Sequence, residues 1–151
     1  MIKLSLSFLF AAVVLNPAIC KKKYDNEKSE FSKTEILIKY TWEVDEVCRN
    51  LYGYNSYYVR GGVNNTGVDY DKMQITFQAD GTGTYRDENS IVHQAKWRFV
   101  SNDHRNMELS VSAPYPATYH WHLVEITDQA LHNSTFVDND ILVSARYKPV
   151  Q

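Results

Sequence analysis

The chain has 151 residues, of which 44% are hydrophobic, 23% charged and 13% aromatic, and its formal net charge is -2. This length and composition fit one domain with a hydrophobic core and argue against a disordered or fibrous protein. Because the charge balance supplies no basic surface for phosphates, nucleic acid is not expected as a partner. The two cysteines are too few for a disulfide framework and form no Cys-x-x-Cys pair for a structural zinc.

The first residues have the pattern of a secretory signal peptide. Lys3 precedes an apolar run from Leu4 to Leu15 that contains no charged residue. This run is shorter than the roughly 20 apolar residues that cross a bilayer. It therefore predicts export, with a signal peptide over residues 1–19, and not a permanent membrane span.

Cys20 follows directly, and Lys21-Lys22-Lys23 begins a polar segment. This junction resembles a bacterial lipoprotein signal, in which the cysteine at the cleavage site is diacylated and becomes the new N-terminus. The resemblance implies a lipidated Cys20 on a polar tether over residues 20–33, anchored in the cell envelope at the periplasmic or surface face of the outer membrane. Ile19 stands where such signals usually have Gly, Ala or Ser, so cleavage after Ala18 to give a secreted or soluble periplasmic protein stays open.

Residues 34–151 are dominated by the alternation of apolar and polar residues that is typical of antiparallel strands. A short helix is expected first, over Thr34–Lys39. A later strand places Met73, Ile75, Phe77 and Ala79 on one face before a turn at Asp80-Gly81. The predicted strands are Tyr40–Arg49, Met73–Ala79, Thr82–Arg86, His93–Phe99, Met107–Val111, Ala117–Thr127, Leu131–Val137 and Ile141–Lys148.

The segment from Asn50 to Lys72 is the least regular part of the domain. It contains the tyrosine-rich run Leu51–Tyr58 and a glycine-containing loop, with a short strand over Tyr57–Arg60 as an alternative. Long loops in compact domains are commonly functional, and this one is expected to cover one end of the fold. Its tyrosines form either a binding loop or a layer that packs over the opening.

These strands predict an all-β fold, an up-and-down antiparallel barrel of about eight strands with a short N-terminal helix, because closure leaves no exposed edge strand. A barrel of this size either fills its interior with side chains or holds one small ligand. A two-sheet sandwich is the alternative, although the scarcity of long crossovers after residue 72 favours the barrel.

Several segments, taken in order, are similar to bacterial lipocalin-like domains, often found as small exported lipoproteins of the Bacteroidetes type. They are Thr41-Trp42, Ile75–Tyr85, Ala95-Lys96-Trp97, Met107-Glu108-Leu109 and Tyr119–Leu131. The resemblance implies a lipocalin-like β-barrel domain over residues 34–151 with a lumen of ligand size. It does not identify the ligand, since one fold hosts many functions.

Aromatic residues on the predicted strands are candidates for the wall of this lumen, because ligand pockets are mostly hydrophobic. The candidates are Trp42, Phe77, Tyr85, Trp97, Phe99, Tyr119 and Trp121. A filled core is the alternative for the same side chains. Along the strand that begins at Ala117, the expected inward face carries Tyr119, Trp121 and Leu123.

His120 and His122 lie two apart on the opposite face of that strand, so they are weak candidates for a metal pair. The sequence places no third ligand beside them, and we favour the interpretation that both face solvent. Glu43, Asp45 and Glu46 are likewise interpreted as a charged solvent face. The sequence thus indicates neither a metal nor another cofactor.

No nucleophile elbow, phosphate loop or paired-carboxylate signature occurs in the sequence, so we assign no catalytic residue and expect no enzyme. The expected function is that of an exported lipocalin-like binding protein for a small hydrophobic or aromatic ligand. The alternative is a packed envelope lipoprotein that binds or inhibits another protein through its loops. A Cys20–Cys48 disulfide also stays open.

Overall fold

The computed structural model describes residues 32–112, 116–138 and 141–150. In this part of the chain, helix α1 (Lys33–Lys39) precedes nine strands, which pair antiparallel in one sheet. The strands are β1 (Thr41–Leu51), β2 (Tyr54–Val59), β3 (Gln74–Phe77), β4 (Thr82–Arg86), β5 (Val92–Phe99), β6 (Met107–Val111), β7 (Ala117–Ile126), β8 (Leu131–Asp138) and β9 (Ile141–Pro149). Because β9 pairs with β1, strands β1 and β3 to β9 close into a barrel of eight strands, and β2 pairs with β1 beside them. The predicted all-β barrel with a short N-terminal helix is confirmed.

Strand β1 carries three neighbours. It pairs with β9 from Trp42 to Leu51 on one side, whereas on the other side β3 pairs with its first residues and β2 with its second half. A bulge between Val44 and Glu46 interrupts its alternation. Trp42 and Val44 point inward before the bulge, and Val47 does so after it, at 4% exposure. The extra residue thereby moves Arg49 to the inner face.

The segment between β2 and β3 packs against this half of β1, and Arg60 holds it there. The Arg60 side chain donates from Nε to the Val44 carbonyl at 2.7 Å, from Nη1 to the Asp71 carbonyl at 2.9 Å and from Nη2 to the Tyr70 carbonyl at 3.3 Å. The hydroxyl of the buried Tyr58 donates to the Asp71 carboxylate. The tyrosine-rich run Leu51–Tyr58 thus lies partly in strand β2. This strand is longer than the short strand over Tyr57–Arg60 predicted as an alternative.

Helix α1 closes one end of the barrel. Ser32 caps it, since its hydroxyl accepts the Glu35 backbone N–H at 3.3 Å while the Glu35 carboxylate accepts the Ser32 N–H at 2.7 Å. Ile36 and Leu37 are 1% and 0% exposed and lie in the main core cluster. The indole of Trp42 donates to the Leu37 carbonyl at 2.9 Å, which fixes the helix to the start of β1.

Strand β7 changes face at Leu123. This residue has a φ of +52° and is 58% exposed, and the pairing with β8 shifts register between His122 and Glu125. Val124 and Ile126 therefore turn inward, at 0% and 7% exposure. The prediction that Leu123 shares the inner face of Tyr119 and Trp121 is wrong, because one extra residue reverses the alternation.

Strand β3 ends at Phe77, earlier than predicted. The Gln78 N–H donates to the Thr82 carbonyl at 2.8 Å, so the turn begins there and Ala79 is exposed. The predicted turn at Asp80-Gly81 is confirmed, with Gly81 at a φ of +82° that suits glycine.

Replacing Ile36 with Ala tests the closure of the barrel by α1. We expect the free energy of unfolding to fall by about 2–5 kcal/mol, because the variant leaves a cavity between the helix and the barrel. The matched control is Ile91→Ala at a 51% exposed position, where we expect a change within about 0.5 kcal/mol. Urea denaturation measures both, and equal effects would contradict a packed helix.

Candidate functional site

A cavity of about 290 Å³ lies inside the barrel and opens to solvent. It occupies the end opposite α1, since its wall comes from the second half of β1, the last part of β4, the start of β7 and the start of β9. The aliphatic part of the wall is Val68, Met73, Leu109, Val137, Val143 and Ala145. The segment between β2 and β3 thus forms part of the wall, as expected for a loop that covers one end.

Aromatic rings make up much of the remaining wall. Trp121 and Tyr147 stack with ring centroids 5.6 Å apart and planes at 26°. Tyr85 stacks on His93 at 6.1 Å and 28°, and the His93 Nε2 lies 2.9 Å from a carboxylate oxygen of Asp87. Tyr119 also lines the cavity. These flat, supported rings suit a flat apolar ligand.

Asn133 places a buried amide in this wall. It is 4% exposed, and its Nδ2 has no hydrogen-bond partner within normal geometry among the described residues. A buried polar group without a partner costs roughly 1–3 kcal/mol. The buried amide is therefore a polar feature of an otherwise mostly apolar wall, next to Tyr147.

The hydroxyls of Tyr85 and Tyr147 in the wall are held protonated. Burial raises the pKa of Tyr147 to about 12, while the nearby Asn133 side chain acts in the opposite direction. Burial also raises the pKa of Tyr85, and the neighbouring Tyr147 and Tyr119 add to this rise. At neutral pH both hydroxyls therefore present a hydrogen that can be donated.

Arg49 is the only charged residue among the described residues of the wall. Its Nη1 donates to the Thr66 carbonyl at 3.4 Å. Burial raises the pKa of the adjacent Tyr70, and the Arg49 charge opposes that rise. The cavity thus combines apolar walls with a cation and a buried amide.

The structure divides the predicted wall residues into two groups. Tyr85, Tyr119 and Trp121 line the cavity. The other candidates, Trp42, Phe77, Trp97 and Phe99, belong to the core between the cavity and α1 or pack against it. Phe77 contacts both groups, since its ring lies edge-on to Trp97 at 5.6 Å and to Trp121 at 6.3 Å.

Sequence analysis missed Arg49, Asn133 and Tyr147. Asn133 did carry a signal, because it alternates with Leu131 and Thr135 on a strand with an apolar face. A polar amide in such a position is either paired or functional. Arg49 gave no comparable signal, since its direction depends on the bulge in β1.

His120 and His122 face outward. The Nδ1 of His120 is 3.7 Å from a Glu108 carboxylate oxygen, and the Nδ1 of His122 is 3.0 Å from the Asn106 side-chain oxygen. Within the described ranges, no group of three His, Cys, Asp or Glu residues is arranged to hold a metal ion.

The acidic residues of β1 also lie on the outer face, where they form ion pairs. Arg146 contacts Glu46 at 3.1 Å and also contacts Asp45, and Lys148 is 3.5 Å from Glu43. Cys20 and the predicted signal peptide lie outside the described residues. No helix in the part that is described is long and apolar enough to cross a membrane.

The sequence matches no protein-family model and no curated protein. Among solved structures, the chain is similar to the crystal structure of a duf4847 family protein from Bacteroides vulgatus ATCC 8482. The two are 14% identical with a TM-score of 0.48, and the match covers 78% of this chain and 96% of the other. We therefore base the function on the cavity itself.

The raised pKa of Tyr147 predicts how stability changes at alkaline pH. Both states keep the proton below about pH 10, the ordinary tyrosine value. Above it the unfolded chain loses the proton first, since the folded-state pKa is about 12, and the free energy of unfolding falls as pH rises. We expect urea denaturation between about pH 9 and 11 to show this fall and Tyr147→Phe to reduce it. An equal fall in the variant would contradict the assignment.

Proposed function

We propose that this protein binds a small, partly apolar molecule in the open cavity of its barrel, as an exported lipocalin-like binding protein would. The observation that carries the proposal is an open cavity inside the barrel with mostly aliphatic and aromatic walls, to which Arg49 and Asn133 add a few polar groups. Binding pockets combine mostly hydrophobic walls with a few polar groups that orient the ligand.

The size of the cavity limits the ligand. Its volume of about 290 Å³ is roughly twice that of an apolar cavity of about 150 Å³ that takes up benzene. It lies at the lower end of the roughly 300–1,000 Å³ of pockets for drug-sized ligands. A molecule of one or two rings therefore fits, with room to extend through the open end.

Burial of apolar surface supplies the main binding free energy, at about 25 cal/mol per Å² removed from water. The stacked rings of Trp121 and Tyr147 offer a flat contact surface. Binding of this kind needs no chemical step.

We further propose that acyl chains on Cys20 hold the protein in the bacterial cell envelope. The lipoprotein-like junction at Cys20 supports this location. The described chain enters the barrel at Ser32, at the end closed by α1. A tether attached there leaves the open end of the cavity pointing away from the point of attachment.

The exposed tyrosines favour a second candidate function, binding of another protein through the hairpin of β1 and β2. Tyr52 and Tyr54 are 69% and 82% exposed. Tyrosine provides a large contact area at low cost in conformational entropy. This function does not need a ligand in the cavity, so filling the cavity separates the two candidates.

Filling the cavity by Ala145→Phe tests the binding function. We expect the protein to bind 2-naphthamide, a neutral two-ring probe, and the variant to bind it at least about tenfold more weakly because the new ring takes its space. The matched control is Ala79→Phe at an exposed position, for which we expect unchanged affinity. Isothermal titration calorimetry measures binding, and circular dichroism checks folding. Absence of binding to the unaltered protein would overturn the function.

Replacing Cys20 with Ser tests the anchor. We expect the variant to move from the membrane fraction to the soluble fraction, since acyl chains bind membranes at about 0.8 kcal/mol per buried methylene. Cys48→Ser is the matched control, because this half-buried cysteine of β1 lies within the barrel domain, and we expect it to stay with the membrane. Immunoblotting of fractions from a bacterium that processes lipoproteins gives the result. A Cys20 variant that stays in the membrane fraction would refute the anchor.

A further inference from the structure

We propose that the cavity selects small aromatic compounds that carry a carboxylate, and that Arg49 binds the carboxylate. This inference rests on the proposed binding function and names the class of ligand. It follows from the charge, the hydrogen-bond donors and the shape of the wall.

The charge of Arg49 lacks an anionic partner in the described structure. Three other arginines of the barrel do have one: Arg60 lies 3.8 Å from Glu43, Arg98 contacts Glu108, and Arg146 contacts Asp45. Arg49 instead donates to a backbone carbonyl, that of Thr66. No described Asp or Glu is therefore paired with its guanidinium at the cavity.

Nothing among the described wall residues neutralises that charge. The wall contains no Asp or Glu in the ranges that the structure describes, and most of its residues are aliphatic or aromatic. Arg49 is only partly exposed, so its interaction with an anion is stronger than that of a surface ion pair in water. An anionic group of the ligand would supply the missing partner.

The hydrogen-bonding groups of the wall point to the same chemistry. The guanidinium of Arg49 has donors and no acceptor, and the hydroxyls of Tyr85 and Tyr147 are protonated. A carboxylate has acceptors and no donor. Its two oxygens also match the planar fork of a guanidinium, which binds carboxylates through two parallel hydrogen bonds.

The shape of the wall indicates that the apolar part of the ligand is flat. Trp121 and Tyr147 lie nearly parallel at 26°, and Tyr85 is backed by His93 at 28°. Rings that are fixed in this way stack on aromatic ligands at little cost in conformational entropy. The cavity volume of about 290 Å³ leaves room for about two fused rings.

A pair of isosteric probes tests the inference. 2-Naphthoate and 2-naphthamide have the same rings and nearly the same shape, but only the first is charged at neutral pH. We expect the unaltered protein to bind 2-naphthoate about tenfold more tightly, because a hydrogen bond to a charged group is stronger than one to a neutral group. Arg49→Gln should weaken the binding of 2-naphthoate more than that of 2-naphthamide, so that the preference is lost. Arg98→Gln, which removes an exposed charge from the outside of the barrel, should retain it.

The outcomes separate this inference from the proposed function. If 2-naphthamide binds as tightly as 2-naphthoate, the selection of anions is refuted while binding in the cavity stands. A preference for 2-naphthoate that survives Arg49→Gln would refute the role of Arg49. If neither probe binds the unaltered protein, both the binding function and its ligand class are overturned.

Discussion

The antiparallel pairing of β9 with β1, from Trp42 opposite Pro149 to Leu51 opposite Ile141, is the contact on which the rest of the structure depends. It joins the two ends of the sheet and turns a meander into a ring, so that neither strand presents an unpaired edge. A ring of eight strands has an interior that side chains nearly fill. Helix α1 and the aromatic core residues next to it fill the half of the interior that is nearer to the helix. Space for a ligand remains in the other half.

The cavity also depends on the edge of β1 that faces away from β9. Along this edge β1 pairs first with β3 and then with β2. Strand β3 leaves after Glu43, and β2 pairs with the part that begins at Glu46. The wall beside the second half of β1 is therefore completed by an irregular segment, of which Val68, Tyr70 and Met73 line the cavity. Arg60 fixes this irregular segment through three hydrogen bonds to backbone carbonyls. Such a wall supplies side chains at angles that regular pleating does not allow.

The strands, their turns and the short helix are predictable from the sequence, because alternation of apolar and polar residues reports directly which face of a strand is buried. The positions of the bulges are not. Strict alternation from Trp42 and Val44 places Glu46 inside and Arg49 outside, and the bulge in β1 reverses both. The bulge at Leu123 likewise turns Val124 to the inner face, although strict alternation from Trp121 places it outside. Bulges depend on the fit between neighbouring strands, which a single strand's sequence does not contain. The aromatic wall was therefore only partly predictable, and the cation in it was not.

Arg49 and Asn133, two polar residues of the cavity wall, affect both the stability of the fold and the proposed binding of a ligand. A barrel selected for stability alone would place an aliphatic residue at position 133, since an unpartnered buried amide costs roughly 1–3 kcal/mol. It would also leave Arg49 on the outer face, where Glu46 and other acids of β1 lie close to cations of β9. Instead the bulge turns the guanidinium inward, to a wall with no described carboxylate. Both features lower the stability of the empty protein, and the anionic ligand that we propose would offset the cost of the unbalanced positive charge. Because a ligand that binds only the folded state adds to its stability, the proposed ligand would raise the free energy of unfolding above that of the empty protein.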